Sequence, residues 1–188
     1  KPYETDGRSS GTPDDRWAFT TRQPYLDYST AATLAAASRA LRGFNDDLAE
    51  RSLANAKRLV EEADELGKNK TGNDPMMIMW SMMGIEAQLE AALQLYITTG
   101  EKKYAERFLG KIWSSLESQR GGREMAFQGA FSGMELLPAL KALPYMDDSY
   151  KTKLKGYVVK YRKSLDEIEK QNPYAVPITL GSWGGTSS

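Results

Sequence analysis

Apolar residues recur along most of this chain at three- and four-residue steps, the period of a helix with a buried side. The clearest stretch is 86–109. Leu89, Ala92, Leu93 and Tyr96 mark one helix face, and Thr99 and Gly100 then stop the helix. Tyr104, Ala105, Phe108, Leu109, Ile112, Trp113 and Leu116 resume the same period. So short a connection makes the two helices antiparallel neighbours. Gly100 suits the left-handed position just past a helix C-terminus.

The same pattern extends in both directions. Residues 1–25 are rich in Gly, Pro, Ser, Thr and Asp and read as a loop. A first helix, about Thr30 to Arg42, follows N-cap candidates at Asp27 to Thr30 and ends at Gly43. Asp46 and Asp47 open a second, whose stripe is Ala49, Leu53, Ala56, Val60 and Ala63 and whose end is Gly67. Asp74 and Pro75 form a cap and first-turn pair for a third helix, about 75–98. Its first half, with Met76, Met77, Met79, Trp80, Met82 and Met83, is apolar almost all round and predicts burial on most sides. A fourth spans about 102–118. A fifth, about 124–142, is expected to kink or break at Pro138. The sixth starts at Asp147 and Asp148, buries Tyr150, Leu154, Tyr157, Tyr161, Leu165 and Ile168, and ends near Gln171.

These elements predict an all-α domain over 1–188. Three antiparallel hairpins occupy 26–171, with irregular segments at 1–25 and 172–188. The motif A-E-R-x-L appears at Ala49 to Leu53 and again at Ala105 to Leu109, each time just after a turn. That repeat supports stacked hairpins.

Composition narrows the chemistry. Lys plus Arg and Asp plus Glu each total 25, so no net charge draws the chain to nucleic acid or to an anionic membrane. No apolar stretch reaches the 18 residues of a membrane span. Cysteine and histidine are both absent, which excludes disulfides, thiol nucleophiles, histidine bases and histidine metal ligands. Catalysis would fall to carboxylates, Lys, Tyr, Ser or Thr. The chain begins at Lys1 and reads as part of something longer.

Three stretches carry a family resemblance. The first is Ala91, Ala92, Leu95, Tyr96, Thr99, Gly100, Glu101 and Tyr104, in the pattern A-A-x-x-L-Y-x-x-T-G-[DE]-x-x-Y. The second is the Ala-rich helix Y-S-T-A-A-T-L-A-A-A-S-R-A-L, from Tyr28. The third is Asn172, Pro173, Tyr174, Val176, Pro177, Ile178, Trp183 and Gly184, with Ala175 where Gly is commoner. Together they resemble the catalytic domain of glycoside hydrolase family 9, from about Trp17 to Gly184.

The resemblance implies about half of an (α/α)6 toroid, from a secreted or periplasmic enzyme that cleaves β-1,4-linked glucan. Its substrate is a β-glucan polysaccharide or oligosaccharide, with cellulose, mixed-linkage glucan and xyloglucan all open. The family inverts the anomeric centre with a base and an acid carboxylate, roughly 6.5–9.5 Å apart. The family's base motif, Asp-x-Gly-Asp, does not occur in this sequence. The resemblance places the acid beyond Ser188, so no catalytic residue is assigned here. The remainder of the catalytic domain is then a required partner. No cofactor is expected; some members place acidic calcium ligands at the start of the Ala-rich helix, and Ser29 and Thr30 near that position weaken a calcium site.

What remains is part of a substrate cleft. Sugars stack their C–H faces on aromatic rings, and loop aromatics are natural platforms. Trp183, Tyr174 and Trp17 are the candidates. Glu86, an acid within an apolar run, is the carboxylate of most interest, with a structural role as its plainer reading. The alternative for the whole chain is a helical-repeat binding module without catalysis.

Overall fold

The computed structural model describes residues 23–68, 75–121, 136–171 and 173–174; at 68, 75–83, 118–121, 164, 165, 168 and 171 it describes the backbone alone. These residues form six α-helices and one short 3-10 turn, Leu143–Tyr145, with no strand among them. The helices are α1 Pro24–Leu41, α2 Asp46–Lys68, α3 Pro75–Thr99, α4 Lys102–Gly121, α5 Leu136–Lys141 and α6 Asp148–Gln171.

Local chemistry sets most boundaries. α1 starts at Pro24, six residues before the predicted Thr30, after an extended Gln23 that offers no side-chain cap. The fixed φ of proline already suits a first helical turn, and its missing N–H would have no partner there anyway. Asp27 and Ser29 therefore lie inside the helix rather than capping it. Gly43 (φ 82°) and Gly100 (φ 69°) take the left-handed conformation that ends α1 and α3. Asn45 caps α2, its Oδ1 accepting the Leu48 N–H at 3.0 Å. Asp147 caps α6 in the same way, accepting the Tyr150 N–H at 2.8 Å. α2 runs past Gly67 to Lys68, so that glycine is not its stop. Pro138 lies in the first turn of α5, where a missing N–H breaks no helical hydrogen bond. The rest of the predicted fifth helix, 124–135, falls outside the described residues, as do the side chains of Met76 to Met83.

Side-chain contacts give the directions. Arg39 near the end of α1 reaches Thr98 near the end of α3, so these two helices run parallel. Lys57 meets Glu101, at the start of α4, while Asp64 meets Arg107, so α2 and α4 are parallel to each other. Tyr28 near the start of α1 meets Asp64 near the end of α2, which makes the first hairpin antiparallel. Trp113 and Glu117 of α4 meet Tyr150 and Tyr157 of α6 in the same order. The hairpins thus stand side by side, with α1, α3 and α5 in one row and α2, α4 and α6 in the other.

α3 is the shared wall. Ala87, Ala91 and Leu95 join α1 and α2 in one core cluster, whose other members include Ala31, Ala35, Ala56 and Val60. Leu89, Ala92 and Leu93 join α4, α5 and α6 in a second, with Phe108, Ile112, Tyr150 and Leu154. Tyr96, read from sequence on the Leu89 side, packs against the first cluster instead. Burial on two sides leaves α3 only a narrow polar line, Glu86, Glu90 and Gln94, whereas α2 keeps a narrow apolar stripe and an exposed charged side.

Candidate functional site

The two ends of this array differ. Turns of a few residues join α1 to α2 and α3 to α4 at one end. The other end holds the N-termini of α1 and α3 and the C-termini of α2, α4 and α6. Tyr174 stands just past α6, 80% exposed. Of the three aromatic candidates it alone is described; Trp17 and Trp183 lie outside the described residues.

Along the row of α1 and α3, on the side away from α2 and α4, runs a groove of about 390 Å³. Tyr25, Ser29, Ala32, Thr33 and Ala36 form one wall, and Glu86, Ala87, Glu90 and Gln94 form the other. Helical geometry creates this lining. Residues four apart share a face, and Tyr25, Ser29 and Thr33 fall at that step, as do Glu86, Glu90 and Gln94. Buried Ala32 and Ala87 close the floor, with no side chain beyond Cβ to fill it.

A polar ladder fixes the acidic wall. The Arg39 guanidinium donates to the Gln94 carbonyl at 3.1 Å and to the Gln94 side-chain oxygen. Gln94 Nε2 donates to Glu90 Oε1 at 2.9 Å, and Lys141 Nζ of α5 donates to the same oxygen at 3.0 Å. Glu90 Oε2 has no hydrogen-bond partner among the described residues, nor has the Ser29 hydroxyl. Glu86, singled out from sequence, lines the same wall one turn away. Both acids project from a single helix. They do not face each other across a cleft as an inverting acid–base pair must. Their arrangement suits the binding of hydroxyl groups. Among the described residues no group of three acids gathers as metal ligands would.

A second polar cluster lies behind α1. Arg107 grips Asp64 with two hydrogen bonds, 2.6 Å to Oδ2 and 2.5 Å to Oδ1. The Tyr28 hydroxyl donates to Oδ1 at 2.6 Å, and the Arg107 guanidinium lies 5.6 Å from the Tyr28 ring centre. Burial, then the hydrogen bond to Asp64, pushes the Tyr28 phenol far above its usual range. Burial alone would raise Asp64 too, but the hydrogen bonds from Arg107 and Tyr28 outweigh it and hold the carboxyl below its ordinary value. This cluster ties α1, α2 and α4 together at the end where α1 begins.

Sequence reading missed Ser29, Thr33, Glu90 and Gln94 as a set. The signal was present: polar residues at a four-residue step on two helices that are otherwise mostly apolar. Trp113, read as core, stacks on Tyr157 at 5.6 Å and packs against the second cluster.

An array of antiparallel hairpins, like helices in like rows, defines an all-α protein of stacked hairpins, the arrangement of helical rings and α-solenoids. The family model for glycosyl hydrolase family 9 matches residues 5–186, and the chain belongs to that family, whose fold is an (α/α)6 barrel. No curated protein and no solved structure matches the chain.

Proposed function

We propose that this chain builds the middle of the catalytic ring of an inverting glycoside hydrolase acting on β-1,4-linked glucan, outside the cytoplasm where such polymers are met. The family match over 5–186 carries the reading. An acid and a base must be held across the scissile bond, each with a tuned pKa. The 188 residues hold no histidine and no Asp-x-Gly-Asp motif, and the two groove acids share one wall. The chemical pair is therefore assigned to the remainder of the domain, and this chain supplies cleft wall and aromatic platforms, Tyr174, Trp183 and Trp17.

A reducing-sugar assay on β-glucans tests this, comparing the 188-residue chain with its longer parent. The parent should release sugar and the chain alone should release none. Release by the chain alone, lost in Glu86→Gln, would move the catalytic centre into the groove and overturn the assignment.

A further inference from the structure

We infer that the chain pairs head to tail with a second copy of itself, the first hairpin of each against the third hairpin of the other. The inference stands apart from the glycan reading, since no sugar takes part in it. It starts from the repeated A-E-R-x-L motif, which the groove does not use. Ser52, Ala56 and Val60 are buried on α2 as Phe108, Ile112 and Leu116 are on α4, so the two motifs share one register. Arg51 therefore occupies on α2 the place that Arg107 occupies on α4.

Arg107 reveals what that place does. It reaches back to the preceding hairpin and bonds both oxygens of Asp64, near the end of α2. By the shared register Arg51 points away from α4, off the first edge of the array. Among the described residues its ion pair is a 3.4 Å contact with Asp47, one turn back on its own helix. Its side chain is 68% exposed, against 24% for Arg107. The third edge carries the matching acid. Asp64 and Asp166 stand equally far past the caps of their helices, Asn45 and Asp147, so they lie at one height in the row of α2, α4 and α6. Asp166 is half exposed, and its contact with Arg162, at 4.0 Å, is long. Arg51 of one copy set against Asp166 of the next repeats the grip of Arg107 on Asp64.

Apolar side chains flank both charges. Leu48 stands on the opposite side of α2 from Lys57, which meets α4, and Leu26 of α1 is exposed beside it. On the third edge Leu140 of α5 and Val158 of α6 are exposed in the same way. Pairing removes all four from water. The number of copies follows from the ring. A contact between two different surfaces closes only when its rotation returns to the start. In the family's barrel six hairpins complete one revolution, so three complete half, and two copies close.

The test is sedimentation of the 188-residue chain over a range of concentrations. A dimer is expected, twice the 21.0 kDa of one chain. Arg51→Glu sets like charges against each other at both contacts, as does Asp166→Arg, and each should weaken the dimer by about tenfold or more. Mixed in equal amounts, the two variants place opposite charges at both contacts again, and the dimer should return. That return separates lost pairing from lost folding. A monomer at every concentration would overturn the inference and leave the two edges to other hairpins of the parent. So would a dimer that Arg51→Glu leaves unchanged, or two weakened variants that do not recover when mixed. None of these results bears on sugar release, so the glycan reading stands or falls by its own assay.

Discussion

The two core clusters hold the same fold together by opposite means. In the first, between α1, α2 and one side of α3, seven of the eleven buried residues are alanine, so the helices are held by close backbone approach. Long polar side chains at its margin, Asp64 with Arg107 and Arg39 with Gln94, then fix how the helices are set. The second cluster, between α3, α4, α5 and α6, fills its space with Leu, Ile, Phe and Tyr, and Trp113 stacks along its edge. One region is limited by distance and the other by volume. They should therefore fail under opposite substitutions.

Removing volume tests the second cluster and should give the largest effect. Phe108 is fully buried there. Phe108→Ala should lower unfolding free energy by about 3–5 kcal/mol, read from urea denaturation. Adding volume tests the first. Ala35, fully buried on α1, should tolerate no larger group. Ala35→Leu should cost about 1–3 kcal/mol by forcing helices apart. The comparison breaks if the alanine position accepts leucine without loss.

The polar margin should show itself through pH. The Asp64 carboxyl is held below its ordinary value in the folded chain, so its contribution is present in full above the unfolded pKa. It is lost as pH falls through the folded value. The urea midpoint should drop on acidification, and Asp64→Asn should flatten that part of the profile while lowering stability at neutral pH. Such a carboxylate takes charge-assisted hydrogen bonds of about 1.5–3 kcal/mol when well buried, and Asp64, about a third exposed, belongs below that range. The smallest effect belongs to Lys57 and Glu101, a more open pair at the same interface. Lys57→Ala should barely move the midpoint, and the difference should vanish in high salt.

The contrast also explains what the sequence disclosed. The outer helices were easy to read, because α2 faces water on one side and shows a clean stripe ending in charged residues. The Asp147 cap and the two glycine turns lie in local sequence, so those hairpin boundaries followed from short-range chemistry, while the Asn45 cap, one residue before Asp46, went unread. α1 was misread at its start because Asp27, Ser29 and Thr30 look like capping residues, and Pro24 settles the first turn without one. Tyr96 went to the wrong side because α3 is buried on two faces, and its narrow polar line of Glu86, Glu90 and Gln94 does not tell those two faces apart. The groove was the hardest feature. Its walls come from residues fifty or more positions apart in the chain, and nothing local reveals that Ser29 and Glu90 line one cavity. Family membership, by contrast, was legible in the three motifs.

The alanine-rich contact has a geometric consequence. Helix axes sit closest where side chains are smallest, within a range of about 8–10 Å. α1 and α3 approach on alanine, whereas α2 and α4 reach each other through the length of an arginine and a lysine. Neighbouring hairpins are thus narrower on one side than on the other, like the stones of an arch. The wedge angle they share sets the curvature of the array, and curvature decides how many hairpins close a circle. In a barrel of six, each must turn about one sixth of a revolution. A buried alanine such as Ala35, enlarged on the α1–α3 row, would reduce that angle, leaving six hairpins too straight to meet.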